Sequence, residues 1–269
     1  MPGLFSQGKR AIRETLTILP LLPARPVEFY DRLQGIIENR VQDLQSPPVY
    51  DEKNWTTVLQ DLTAFYGADF QEQETALQQI EQHVRAEIAA LAKQGPFSGK
   101  HDGDMMLGRL CYLLCRHLQP QTVIETGVAR GVTSAFILAA LDVNRSGTLY
   151  SIDLPPSYEQ KHREFIGAYI PADFRQRWQL HIGSSRRHLP GLLKNLQSVD
   201  MFIHDSLHSY NNMLYEYRTV YPHLKSVLLS DDVGMNAAFK DWRAEASCAY
   251  SAVIRTDEKR GLLGLCLKA

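Results

Sequence analysis

Apolar residues at Phe29, Leu33, Ile36, Ile37, Val41 and Leu44 recur at intervals of three and four, and Leu77, Ile80, Val84, Ile88 and Leu91 repeat the pattern further on. That spacing places one apolar stripe along an α-helix. Trp55, Val58, Leu59, Leu62, Phe65 and Tyr66 predict a helix between these two, closed by Gly67, while Ser46-Pro-Pro interrupts the chain before it. Residues 1–95 therefore read as a helical N-terminal extension whose apolar faces suit a cap over the rest of the chain or a homodimer surface. Gln94-Gly-Pro-Phe-Ser-Gly has the composition of a linker.

From residue 96 the pattern changes. Short apolar runs at 122–126, 148–153, 178–183, 199–203 and 226–231 alternate with helical stretches near 132–142, 158–168, 186–196, 211–221 and 235–246. Strand and helix in strict alternation predict a parallel sheet with crossover helices. Two further strand-like runs, 249–255 and 262–268, are separated by only six residues, a hairpin spacing that forces the last strand to run backwards. The expected fold is α/β: a doubly wound, mostly parallel seven-stranded sheet, Rossmann-like, spanning 96–269, with the last strand reversed.

The chain of 269 residues carries 29 Lys and Arg against 30 Asp and Glu, so no excess of positive charge exists to capture a nucleic acid. The apolar stretch 16–22 is too short to span a bilayer and contains Pro20. The basic residues Lys9, Arg10 and Arg13 before it lack the cleavage pattern of a signal peptide, which favours a cytoplasmic protein. The four cysteines, 111, 115, 248 and 266, match neither a disulfide framework nor zinc spacing. All four read as packing residues in a reducing compartment.

In an open doubly wound sheet, ligands bind beyond the carboxyl ends of the strands. The first run leads into Glu125-Thr-Gly-Val-Ala-Arg-Gly, where Gly127 permits a tight turn and Gly131 a close helix start. The second ends at Asp153, a position where an acid accepts from ribose hydroxyls, and the third at Ser184 and Ser185, placed for an adenine ring or for a helix cap. After the fourth and fifth stand Asp205-Ser-Leu-His208 and Asp231-Asp232. If those strands are neighbours, three carboxylates meet in one volume and require a cation, and an all-oxygen set favours magnesium, manganese or calcium. His208 lies within reach as a base. A zinc site of His204, Asp205 and His208 is a weaker reading, because the segment follows a strand directly.

On these residues the chain resembles the class I S-adenosylmethionine-dependent methyltransferases, in particular the bacterial small-molecule O-methyltransferases found with glycan and natural-product genes. The segments that carry the resemblance are Val123-Ile-Glu-Thr-Gly-Val-Ala-Arg-Gly, Tyr150-Ser-Ile-Asp-Leu, His181-Ile-Gly-Ser-Ser, Phe202-Ile-His-Asp-Ser-Leu-His-Ser-Tyr and Leu228-Leu-Ser-Asp-Asp-Val. A more distant similarity to catechol-type enzymes implies metal ligands at Asp205, Asp231 and Asp232 and a base at His208. The resemblance also implies that Glu125, Gly127, Gly131 and Thr133 surround the methionine part of the cofactor, that Asp153 holds the ribose, and that Ser184 and Ser185 lie near the adenine. Asp205 would border cofactor and metal alike. The implied acceptor is a hydroxylated small molecule, a sugar or a natural product. Asp232 stands where catechol-type enzymes carry a neutral amide.

Two other readings compete. A nicotinamide-dependent oxidoreductase shares the glycine loop with a distal acid, and Tyr221-Pro-His-Leu-Lys225 even matches its Tyr-x-x-x-Lys. The loop here is Gly-x-x-x-Gly, however, not Gly-x-Gly-x-x-Gly. An inactive cofactor-binding subunit is the other, and the intact set of Asp205, His208, Asp231 and Asp232 speaks against it.

Overall fold

The computed structural model describes residues 4–39, 47–70, 74–91, 94–97, 104–156, 159–257 and 261–269. Helices α1 (Leu4–Ile18), α2 (Leu21–Ala24) and α3 (Pro26–Ile37) come first, followed by strand β1 (Glu52–Lys53) and helices α4 (Trp55–Tyr66), α5 (Glu74–Leu91) and α6 (Met105–Leu118). Strands and helices then alternate: β2 (Thr122–Thr126), α7 (Val132–Asn144), β3 (Thr148–Asp153), β4 (Trp178–Ile182), α8 (Ser185–Leu196), β5 (Val199–His204), α9 (Tyr210–Val220), β6 (Leu224–Ser230) and α10 (Ala238–Glu245). β7 (Cys248–Arg255) and β8 (Leu262–Lys268) end the chain.

The sheet order is β1-β7-β8-β6-β5-β2-β3-β4, with β8 antiparallel to both neighbours. All seven anticipated strands form, and two-residue β1 adds an eighth at the edge, parallel to β7. Its brevity hid it from any periodicity. The expected helix near 158–168 is replaced in the described residues by 3₁₀ turns at Gln160–Phe165 and Ala172–Arg177. Val41 and Leu44 of the first predicted helix, and part of the linker and of the hairpin turn, lie outside the described residues.

Consecutive strand residues point to opposite faces, so each strand supplies two cores. Val123, Met201, Ile203 and Val227 pack on one face with α4, α5, α6 and α7, whereas Ile124, Phe202 and Leu228 pack on the other with α8, α9 and α10. α4 and α5 thus share the main core of the sheet. α1, α2 and α3 form a smaller cluster of their own around Ile18, Leu21 and Phe29. The linker is tied to the glycine loop by fully buried Arg130, which donates to the carbonyls of Gln94 and Phe97 at 2.6 and 2.7 Å. No helix among the described residues is long and apolar enough to cross a membrane.

The cysteines correct the reading of the sequence. Cys111 and Cys115 are buried thiols, but Cys248 and Cys266 are joined across β7 and β8. A register shift between Cys248 and Tyr250 brings the two side chains together. Closing 18 residues of chain, this link should contribute about 3 kcal/mol through the unfolded state. Cys248→Ser is expected to melt several degrees below the oxidised wild type and at the temperature of the reduced wild type. Identical melting of all three would remove that contribution.

Candidate active site

The strand order reverses between β2 and its neighbours β3 and β5, and the loops after β2, β3, β5 and β6 meet there. Backbone hydrogen bonds continue the ladder one rung past the strand ends. Gly127 N–H donates to Ile152 O, Asp205 N–H to Thr126 O, and Asp231 N–H to His204 O, each at 2.8 Å. The acids are therefore placed by main chain, not by loops free to choose. Gly127 sits at φ +85°, and a Cβ there would lie 1.9 Å from the carbonyl oxygen of Asp205. Only glycine lets the β5 loop approach so closely. Gly131, at φ +89°, has a different reason from the expected one: its missing Cβ makes room for Gly167 and Ile170, both at 3.0 Å.

A cavity of about 650 Å³ opens over this edge, within the range of small-molecule sites. Gly127, Asp153, Ser184, Ser185, Asp205, His208, Asp231 and Asp232 line it. Glu125, Thr133 and Gly131 do not; they stand behind the wall. Glu125 is wholly buried, and its Oε2 accepts from the hydroxyls of Ser134 and Ser151 at 2.6 and 2.9 Å. Its Oε1, Thr133 Oγ1 and Asp153 Oδ2 are buried without a hydrogen-bond partner. Of the three, Asp153 lines the cavity, and its orphaned oxygen fits a ligand that supplies the missing partner.

Asp205, His208 and Asp231 come together so that one ligating atom from each lies within 4.8 Å of the others. His208 Nε2 is 3.7 Å from Asp205 Oδ1 and 4.0 Å from Asp232 Oδ2. Asp232, with its side chain 41% exposed, stays outside the group of three. Burial, then the charge of Asp231, raises the Asp205 carboxyl well above its ordinary value, and burial with Asp232 pushes Asp231 up to about 7. Burial and neighbouring His204 bring His208 down to about 3, which leaves a neutral imidazole. A cation between the carboxylates would relieve their repulsion.

Beneath this loop lies a network that the sequence did not announce. Glu216 of α9 is fully buried and accepts from Thr126 Oγ1 and His204 Nδ1, both at 2.6 Å, and from Ser206 Oγ and Asn212 Nδ2 at 2.8 and 3.0 Å. Burial opposes its charge, yet His204 and the hydroxyl of Thr126 outweigh that and lower its carboxyl to about 2. His204 is thereby engaged with Glu216 and is not one of the metal-binding group, which removes the zinc reading. Its ring stands perpendicular to that of His208 at 5.2 Å.

Helix α3 forms the opposite wall, also unannounced. Asp31 accepts from Ser184 N–H and Oγ at 3.3 and 2.9 Å and pairs with Arg187 at 2.9 Å. Glu28 pairs with Arg163 at 3.0 Å, and Glu38 with Arg186 at 2.9 Å. Arg32 donates to Pro155 O at 2.9 Å, and its charge reaches Asp153. The Tyr221 and Lys225 of the oxidoreductase reading lie at the start of β6, away from the cavity: Tyr221 donates to Ser247 O at 2.6 Å and Lys225 pairs with Asp200.

Burial pushes the carboxyls of both Glu125 and Asp153 up to about 7, against the pull of the serine hydroxyls on Glu125 and of the amides of Val128, Ala129 and Leu154 on Asp153. The folded state then holds protons that the unfolded chain has lost, so stability falls as pH rises through 7. The depressed His208 acts in the opposite sense, but only below its ordinary value of 6.5. Between pH 6.5 and 8.5 the ligand-free protein should lose about 1 kcal/mol per carboxyl. A melting series checks this: the wild type should fall by several degrees and Glu125→Gln by less, and a flat wild-type profile would refute the assignment.

Residues 124–233 match the family model of a methyltransferase domain. Comparison with curated proteins gives no match. The fold is similar to that of an O-methyltransferase from Bacillus cereus in complex with SAH (TM-score 0.51, 14% identity, 80% of this chain and 98% of that one). It is similar also to cofactor-bound Rv0187 from MTB (TM-score 0.51, 18% identity, 70% and 88%). At such identity the likeness speaks for the fold alone. Sequence match and architecture point the same way: residues 124–233 match a methyltransferase domain, and the fold of the chain is similar to that of the O-methyltransferase from Bacillus cereus.

Proposed function

We propose that this protein transfers a methyl group from S-adenosylmethionine to a hydroxyl of a small molecule, a sugar or a natural product, with the help of a divalent cation. The observation that carries the reading is the meeting of Asp205, His208 and Asp231 at the switch point of the sheet, in the same cavity as Asp153. S-adenosylmethionine, when bound, supplies an electrophilic methyl carbon. Asp153 accepts from its ribose, Gly127 and Asp205 border it, Ser184 and Ser185 lie beside the adenine, and Glu125, Gly131 and Thr133 support the methionine end from behind the wall. Asp205 and Asp231 hold the cation, with Asp232 at the rim, and magnesium suits their hard oxygens.

His208 takes the proton of the acceptor hydroxyl on Nε2, the nitrogen that faces the acids. Burial keeps this ring unprotonated, and a proton taken up on Nε2 would face the carboxyls of Asp205 and Asp232. Glu216 and His204 fix the loop that carries Asp205 and His208, so these two side chains would be held in place before an acceptor arrives. The helices α1 and α3 wall the cavity through Thr17, Ile18, Gln34 and Gly35, and the shape these residues give it selects the acceptor.

Calorimetric titration of S-adenosylhomocysteine into chelator-treated protein is expected to saturate, and NADH to give no heat. No binding of S-adenosylhomocysteine under any condition would overturn the reading. His208→Ala should keep that binding and lower turnover at least a hundredfold. Asp231→Ala should abolish the magnesium isotherm. Full turnover in His208→Ala would move the base elsewhere.

A further inference from the structure

Large apolar side chains within reach of solvent are concentrated in the first three helices. Ile12, Leu16, Leu19, Leu22, Val27, Tyr30 and Ile37 are exposed there, against Val49, Phe65, Val143 and Met235 among all the other described residues. Single exposed residues of this kind are normal on a surface, but seven between 12 and 37 mark a region that binds something. The fold does not use them. Helices α1, α2 and α3 bury Ile18, Leu21 and Phe29 in a cluster of their own, and ion pairs join them to the rest of the chain.

Along α1 the exposure has an order. Lys9, Ile12, Arg13 and Leu16 are all exposed, and their three-and-four spacing sets them on one stripe of the helix. Two cations share that stripe with two large apolar side chains, and no acid lies on it. The acids face elsewhere: Glu14 pairs with Arg10 at 3.1 Å and lines the cavity, while Glu28, Asp31 and Glu38 are taken up by Arg163, Arg187 and Arg186. A net charge of −1 over the whole chain thus conceals a face that is basic and apolar at once.

That combination points to the occupant. A second copy packed stripe to stripe would bury Lys9 and Arg13 with no carboxylate to pair them, which is costly. At an anionic lipid surface the conflict disappears, because Ile12 and Leu16 can enter the boundary between headgroups and acyl chains while the long stems of Lys9 and Arg13 carry their charges back to the phosphates. We propose that α1 is a peripheral membrane anchor that lays this stripe on an anionic bilayer. Glu14 and Ile18, on the opposite side of the same helix, line the cavity, so one helix about 10 Å across separates cavity from bilayer. The proposal does not rest on the reaction carried out in that cavity.

The test is co-sedimentation of the full chain with vesicles of phosphatidylcholine alone and with vesicles in which about a third of the lipid is phosphatidylglycerol. The wild type is expected to bind the anionic vesicles roughly tenfold or more tightly than the neutral ones, and to lose that preference in high salt. Lys9→Gln combined with Arg13→Gln, and separately Ile12→Ser combined with Leu16→Ser, should each weaken binding to the anionic vesicles by roughly tenfold or more. All four side chains are exposed, so both variants should melt with the wild type, and the single changes Arg13→Gln and Leu16→Ser serve if a double variant does not. A wild type that ignores anionic vesicles, or binds neutral ones equally, overturns the proposal, as does full binding by either variant. A dimer in sedimentation velocity that Ile12→Ser with Leu16→Ser dissolves would assign the face to a second copy and overturn it too.

Discussion

Main-chain hydrogen bonds one rung beyond the strand ends hold acidic side chains closer together than their charges favour. Asp205 is fixed by the carbonyl of Thr126, and Asp231 by the carbonyl of His204. Neither can withdraw without breaking the ladder, so burial first, and the neighbouring acid second, raise the affinity of both carboxyls for protons. The missing side chain of Gly127 belongs to the same construction, because any Cβ there would strike Asp205. The binding energy of a cation would offset a strain that folding has already imposed.

The charge that Glu216 carries has the opposite character. It too is fully buried, but four donors converge on it, and its carboxyl is held low, not high. An acid held low beneath the loop and acids held high above it divide the labour: the first gives the loop rigidity, the second give it affinity for ligands. Such pairs of oppositely shifted groups are a common mark of sites built for chemistry.

Much of this was legible along the chain, for a physical reason. Apolar runs and the acids that follow them are local in sequence, so Asp153, Asp205 and Asp231 could be placed at strand ends and the sheet drawn before any coordinates. What escaped depends on distant partners. Asp31 touches Ser184, and Glu38 touches Arg186, across about 150 residues, and nothing near either acid marks it. Glu216 lies in a polar stretch of α9 that gives no sign of burial. The bond between Cys248 and Cys266 turned on a register shift in β7, which no spacing rule reveals.

Helix α3 and the sheet edge face each other across one cavity, but they belong to separate stretches of the chain. Under the proposed function, the groups for methyl transfer stand on the sheet side, while Gln34 and Gly35, with Thr17 and Ile18 of α1, are on the helical side. Acceptor choice can then drift in evolution while the reacting groups stay fixed. That freedom has a boundary in Glu28, Asp31 and Glu38, the three acids that seat the helix on Arg163, Arg187 and Arg186. A lineage can rewrite the residues between these anchors and inherit a new substrate with the old chemistry intact.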